Sequence, residues 1–264
     1  MQPIVLLYHR ICADDAWSPS DFLVTTSVFR AQMRYLASCN YYTPRMSEVL
    51  DWNGRVPRTG RTPVLLTFDD GYVDTFALAL PILRELGFGA TVFPVLDLSC
   101  RFNTWDSTPA LRAPLLSPGD MRAMEKVGVE FGSHTVTHPR LTRSSDAELT
   151  DELDRSRVIL GSIVARPLPV LAYPYGEVDE RVKRAVRGAG YSAAMAVSSG
   201  PLDLHGDPFE VRRQCVTNSA SEAYMRLTLS GARKLYSWSK WKFRAGLDAM
   251  KGPRPDRRVG ARAG

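Results

Sequence analysis

Two carboxylates stand side by side in Thr67-Phe68-Asp69-Asp70-Gly71, directly after the apolar run Val64-Leu65-Leu66. Further along, Ser133-His134-Thr135-Val136-Thr137-His138 sets two imidazoles four residues apart. Asp70, His134 and His138 together offer one hard oxygen and two borderline nitrogens. Three protein ligands leave positions open for water and substrate, which is the donor set of a catalytic rather than a structural metal site. Asp69, the second carboxylate, has no evident cation beside it in the sequence and is left to act as a base. The combination points to a hydrolytic metal site. The plainer alternative is a turn at Asp69-Asp70-Gly71 and two surface histidines. Against it, the chain has only four histidines, and three of them (His9, His134 and His138) fall at the ends of predicted strands. Non-haem iron oxygenases use the same trio, but they carry His-x-Asp/Glu on one strand of an all-β fold. Here the aspartate and the histidines come from different strands.

The elements that must position these side chains alternate. Ile4 to Tyr8, Val64 to Phe68, Ala90 to Val95, Val170 to Ala172 and Tyr191 to Val197 are short apolar runs, read as buried strands. A helix is predicted from Ser27, its N-cap, with Val28, Phe29, Met33, Leu36 and Ala37 at helical spacing. Thr75 to Leu86 predicts a helix closed by Gly87, and Ser117-Pro118-Gly119-Asp120 opens another with Pro in its first turn. Ser144 to Ile163 and Asp179 to Gly188 complete the helical set. Leu98 to Pro114 is a long irregular segment of the kind that often carries function. Strands alternating with helices predict a parallel sheet with right-handed crossovers. His9, Asp69-Asp70, His134 to His138 and Tyr173-Pro174-Tyr175-Gly176 all follow predicted strands. The carboxyl ends of strands are where β/α barrels and open α/β sheets build their sites.

Composition is that of an ordinary globular protein, with 44% hydrophobic and 23% charged residues over 264 positions. The four cysteines (Cys12, Cys39, Cys100 and Cys215) have no paired spacing and are expected to be reduced and structural. The start of the chain lacks a basic n-region and a long apolar core, and no stretch approaches the ~20 apolar residues of a membrane span. The expectation is a cytoplasmic protein. The net charge of +6 is unevenly placed: residues 231–264 hold ten Lys or Arg against two Asp, and the rest is near neutral. That balance predicts no nucleic-acid-binding domain.

TFDDG, SHTVTH and AYPYG, in that order, resemble the motifs of the polysaccharide deacetylases, carbohydrate esterase family 4 (the NodB homology domain). The opening Leu7-Tyr8-His9-Arg10-Ile11 and the YPYG variant resemble the branch that includes the poly-β-1,6-N-acetylglucosamine deacetylases. The similarity spans roughly residues 4 to 217 and takes in Asn103-Thr104-Trp105-Asp106 and Phe209 to Val216. It implies an α/β fold, a distorted, incomplete (β/α) barrel. It implies metal-dependent removal of N-acetyl groups from an amino-sugar glycan, with one divalent cation, by family default zinc, where cobalt, nickel or iron would also suit the ligands. By the same resemblance Asp69 is the general base, Asp70, His134 and His138 hold the metal, and the Tyr175 backbone N–H helps hold the oxyanion. The chain departs from the common pattern twice. No Leu-x-His follows residue 205, and in the resembling branch His9 takes over as the acid. Ala172 stands where an arginine usually steadies the base, and Arg213 resembles its replacement, with Arg212 adjacent as the alternative. Trp105, Asp106 and Tyr173 are candidate substrate contacts at the rim.

The expected organisation is a catalytic domain over 1–230 and a basic, aromatic-containing tail over 231–264. The tail reads as a terminal helix on the barrel, with a helix lying on an anionic membrane as the alternative. Two other activities share these residues: an amidase or deformylase on a non-polymeric substrate, and a saccharide-binding relative without catalysis. The intact Asp69 argues against the second, because binding alone needs no unligated base.

Overall fold

The computed structural model describes residues 3–15, 20, 22–51, 56, 59–105, 112–197 and 206–229. In chain order the elements are β1 (Ile4–Tyr8), β2 (Arg10–Cys12), β3 (Leu23–Thr25), α1 (Thr26–Ser38), β4 (Tyr41–Tyr42), α2 (Met46–Asp51) and β5 (Thr62–Asp70). After a π turn over Thr75–Ala79 come α3 (Leu80–Glu85), β6 (Thr91–Pro94), α4 (Pro118–Lys126), β7 (Glu130–Phe131) and α5 (Asp146–Ile163). The chain continues through β8 (Val170–Ala172), α6 (Glu180–Gly188), β9 (Ala193–Val197), β10 (Val211–Cys215) and α7 (Glu222–Leu229). The main sheet is parallel, in the order β7-β6-β5-β1-β10-β9-β8, with β4 added beside β5.

The sheet curls until its ends nearly meet. The join between β7 and β8 is a single bridge, Ser133 with Leu171. Three backbone hydrogen bonds hold it: Leu168 N–H to Phe131 O, Ser133 N–H to Val170 O and Ala172 N–H to Ser133 O. This is the incomplete barrel that the family resemblance implies. Strand alternation sorts the residues between two cores. Leu6, Tyr8, Leu66, Phe68 and Val92 face outward to α1, α3, α4 and α7. Val5, Leu65, Phe93, Val170, Met195 and Val211 face inward, where Met46 and Val49 of α2 close the lower end. That face includes Thr67, whose hydroxyl donates to Leu6 O on the adjacent strand β1 at 2.8 Å.

Several local details differ from expectation. The N-cap of α1 is Thr25, not Ser27. Asp14 already takes the Ser27 N–H (2.8 Å) and the Thr26 hydroxyl (3.1 Å), which fixes the first turn two residues earlier. The helix expected over Thr75 to Leu86 is split, because Pro81 has no N–H to return to the preceding turn and the chain widens into the π turn there. α4 starts as anticipated after the Ser117–Asp120 capping box, whereas α5, expected from Ser144, begins at Asp146, because Ser145 forms the reciprocal capping box with Glu148. All four cysteines are free thiols. Among the described residues no helix is long and apolar enough to cross a membrane. The basic tail, with the helix expected in it, lies outside the described residues.

Candidate active site

Asp69 occupies the inward face of β5, two residues on from Thr67, as strict alternation requires. Asp70 would then point out of the barrel. It does not, because its backbone is left-handed (φ +70°), and Gly71 follows at φ +79°. The turn brings Asp70 back to the strand ends. A Cβ on Gly71 would lie 2.6 Å from the Pro94 Cβ at the end of β6, so the position demands glycine on two counts.

The histidines are placed by the barrel's seam. The bridge that joins Ser133 to β8 sets His134 beside Ala172, and His134 Nδ1 donates to the Ala172 carbonyl at 2.8 Å. That bond fixes the tautomer and presents Nε2 to the pocket. Nε2 of His134 and Nε2 of His138 each lie 3.4 Å from the same oxygen, Asp70 Oδ1. One ligand atom from each of the three residues falls within 4.8 Å of the other two, and all three residues are buried. The donor set fits a divalent cation of the zinc type: two neutral-capable imidazoles, one carboxylate, and an outer partner holding one ring. The electrostatics agree. Burial alone would push the Asp70 carboxyl up, but the His134 hydrogen bond and the neighbouring imidazole charges outweigh it and hold the group well below the usual carboxylate range. Burial, and then the charge of His134, pull His138 down to about 3, so its ring is neutral and free to ligate.

Asp69 stands beside this trio with a separate partner. Arg213 of β10, 1% exposed, donates from Nη1 and Nη2 to Asp69 Oδ1 and Oδ2, both at 2.6 Å. Burial acts to raise the Asp69 pKa, and the Arg213 charge and hydrogen bonds, with His134 and His9, reverse it, so the carboxyl titrates below its ordinary value. Arg212 faces the other side of the strand and reaches Glu210 at 3.4 Å. The guanidinium that meets Asp69 is therefore Arg213. The sequence pattern around Arg212 and Arg213 does not mark β10 as a strand; once it is one, alternation alone separates the two arginines.

Asp69, Asp70, His134 and His138 line one cavity of about 510 Å³, together with His9, Trp105, Tyr175, Arg140 and Phe22. His9 sits between β1 and β2, 5.1 Å from the ring of Phe22. Its Nδ1, like that of His138, is a buried atom without a hydrogen-bond partner. Trp105 stacks on His138 (4.7 Å, 25°), and Tyr175 meets the same ring edge-on at 4.6 Å. Trp105 packs against Tyr72, Ala113 and Leu115, and the Asn103 side chain accepts the Ala113 N–H at 2.6 Å. Asp106 lies outside the described residues. Tyr175 has φ +60° and is 44% exposed, with Arg140 over its ring at 4.0 Å.

Tyr173 lies in the wall of the same cavity but is fully buried. Its ring packs with Leu141, Leu171, Val182 and Phe209, and its hydroxyl donates to Phe209 O at 2.8 Å, so the phenol is tied into the core. Sequence reading missed Phe22, Tyr72, Arg140 and the pair Arg10–Asp74. Arg10 Nε donates to Asp74 at 2.9 Å and the Ile11 N–H to the same carboxylate at 3.3 Å, which ties the chain after His9 to the loop after Asp70. Burial pushes Asp74 up to about 6 although Arg10 opposes it. Arg10 directly follows His9, and its adjacency was the available signal.

Comparison with known proteins gives this site its context. Residues 57–194 match the family model described as polysaccharide deacetylase. A Bacillus subtilis protein assigned to the polysaccharide deacetylases is 25% identical over 220 residues, covering 82% of this chain and 72% of that one. The poly-beta-1,6-N-acetyl-D-glucosamine N-deacetylase of Staphylococcus epidermidis is 22% identical over 245 residues, covering 84% and 82%. In fold, the chain is similar to the Streptococcus pyogenes deacetylase PplD, solved in complex with acetate, with a TM-score of 0.74 at 24% identity over 87% of this chain and 98% of that one. The family model takes in more than half of the sequence, including Asp69, Asp70, His134 and His138. The chain belongs to the polysaccharide deacetylase family and is a carbohydrate N-deacetylase by class.

Proposed function

We propose that this protein removes N-acetyl groups from a glycan rich in N-acetylglucosamine, using one divalent cation, zinc by preference, held by Asp70, His134 and His138. The observation that carries the reading is the division of labour between adjacent aspartates. Asp70 shares its oxygen with two imidazoles, whereas the carboxylate of Asp69, next to it, accepts both its hydrogen bonds among the described residues from Arg213, which also donates to Thr67. A saccharide-binding protein without catalysis has no use for such a buried, ionised base.

A cation bound there supplies Lewis acidity, polarising the acyl carbonyl and making water easier to deprotonate. Asp69 takes the proton of the attacking water. Arg213 keeps Asp69 ionised despite its burial, so the base is ready at neutral pH. The Tyr175 backbone N–H, at a strained left-handed position on the pocket wall, stabilises the oxyanion. His9, on the opposite wall, gives a proton to the departing amine. Trp105 and Tyr175 flank His138 and form an apolar wall suited to the acetyl methyl and the sugar face. The relative from Staphylococcus epidermidis is named for a β-1,6-linked polymer, and a polymer of that class is the substrate we assign.

The test is acetate release from N-acetylglucosamine oligomers. Release is expected to stop on treatment with a chelator and to return with zinc. Undiminished release in a metal-free preparation would refute the metal-dependent reading, and release from N-formyl but not N-acetyl substrates would replace it with the deformylase alternative.

A further inference from the structure

Between the two histidines the chain is held in an unfavourable shape. Thr135 (φ +66°) and His138 (φ +61°) are both left-handed without being glycine, a backbone region that L side chains enter at a cost. A conformation of this kind persists only where the surroundings over-determine it. Within the loop, Thr135 N–H donates to Ser133 Oγ and His138 N–H to Thr135 Oγ1, both at 3.1 Å. The remaining donors go elsewhere. Val136 N–H (2.7 Å) and Thr137 N–H (3.0 Å) converge on Glu152 Oε2, and the Thr137 hydroxyl reaches Glu152 Oε1 at 2.6 Å.

Glu152 lies on the buried face of α5 between Leu149 and Leu153 and is 8% exposed. Among the described residues it makes no ion pair, and every hydrogen bond recorded for its carboxylate comes from this loop. A buried carboxylate without a cationic partner is costly unless its hydrogen bonds compensate. Here three donors from two consecutive residues do so, and those residues are the span between the two candidate ligands.

We propose that Glu152 is a positioning residue that builds the His134–His138 loop in advance, so that His138 meets Asp70 and His134 before a cation binds. The inference rests on the metal reading given above. It assigns to Glu152 no contact with substrate or cation, and its effect is on affinity for the cation.

The experiment measures the zinc affinity of the full-length protein by competition with a chromogenic chelator. Glu152→Ala is expected to weaken zinc binding about 10–100-fold, the usual effect of losing an outer partner of a metal site. Glu152→Gln, which keeps one oxygen for the two backbone donors, is expected to fall between Ala and the wild type. Thr137→Val, which loses one of the three bonds, is expected to weaken binding least. A folded Glu152→Ala variant with unchanged affinity overturns the inference while leaving the metal reading intact. If that variant does not fold, unchanged affinity in both Glu152→Gln and Thr137→Val overturns it. Wild-type protein that binds no zinc overturns the metal reading and this inference with it. Exchange of the Val136 and Thr137 amides in metal-free wild type is expected to be slow, and exchange at the rate of open loop amides contradicts a loop built in advance.

Discussion

Replacing Arg213 with Leu removes one half of a buried ion pair and leaves the other half stranded. The side chains of Arg213 and Asp69 are 0% and 2% exposed and share two hydrogen bonds of 2.6 Å. Breaking a buried pair by deleting one partner costs about 3–5 kcal/mol, which for a chain of this size lowers Tm by roughly 6–20 °C. The pH dependence carries a sign. In the wild type the folded Asp69 titrates below its ordinary value. The pair's stabilisation is therefore complete above the ordinary aspartate pKa of about 4 and is lost as pH falls through the lower, folded value. In Arg213→Leu burial acts with its main opponent removed, so the pKa moves up. The folded state then penalises the anion increasingly as pH rises past about 4. The stability gap between the two proteins is expected to be widest at neutral pH and to narrow toward about pH 4. Thermal unfolding of metal-free protein at the two pH values measures it. The acid limb of kcat/KM is expected to move to higher pH in the variant, because Asp69 must be ionised to accept a proton. Adding Asp69→Asn to Arg213→Leu should recover more than about 1 kcal/mol by removing the stranded charge. A gap below about 1 kcal/mol, or one equal at both pH values, would refute the assignment of Arg213 as the partner that holds Asp69 ionised.

Two further outcomes follow from the geometry. His9→Ala is expected to slow release of acetate from N-acetyl sugars by about 10²–10⁴ but to spare hydrolysis of an aryl acetate, whose leaving group needs no proton. Equal losses on both substrates would exclude an acid role. Gly71→Ala places a Cβ against Pro94 at a left-handed position and is expected to destabilise the protein by about 1–3 kcal/mol, read by chemical denaturation; an unchanged midpoint would contradict the close approach of β5 to β6.

What the sequence made legible is what it concentrates. Asp69, Asp70, His134 and His138 stand in two short motifs after apolar runs, and strand ends of a parallel sheet share one face, so their meeting follows from order alone. Arg213 was legible as a residue type and not as a position. Two adjacent arginines obscure the alternation of Val211-Arg212-Arg213-Gln214-Cys215, and only pairing with β1 and β9 makes that run a strand. Tyr173 was legible as a residue of the cavity wall, but its second tie was not: its hydroxyl finds a carbonyl inside the core, as buried tyrosines do. Glu152 has a sequence signal, a carboxylate on the apolar stripe of α5, where a buried charge needs donors. Phe22 has none, since its place over His9 depends on how a loop returns to the strand ends.

The most direct test of the account is anomalous X-ray scattering at the zinc edge from crystals of the protein grown with zinc. The account predicts one peak in the cavity, at coordination distance (about 2.0–2.2 Å) from Asp70, His134 and His138, with Asp69 beside it and still paired to Arg213. A peak that engages Asp69 in place of Asp70, or the absence of any peak among the three ligands at saturating zinc, would contradict it.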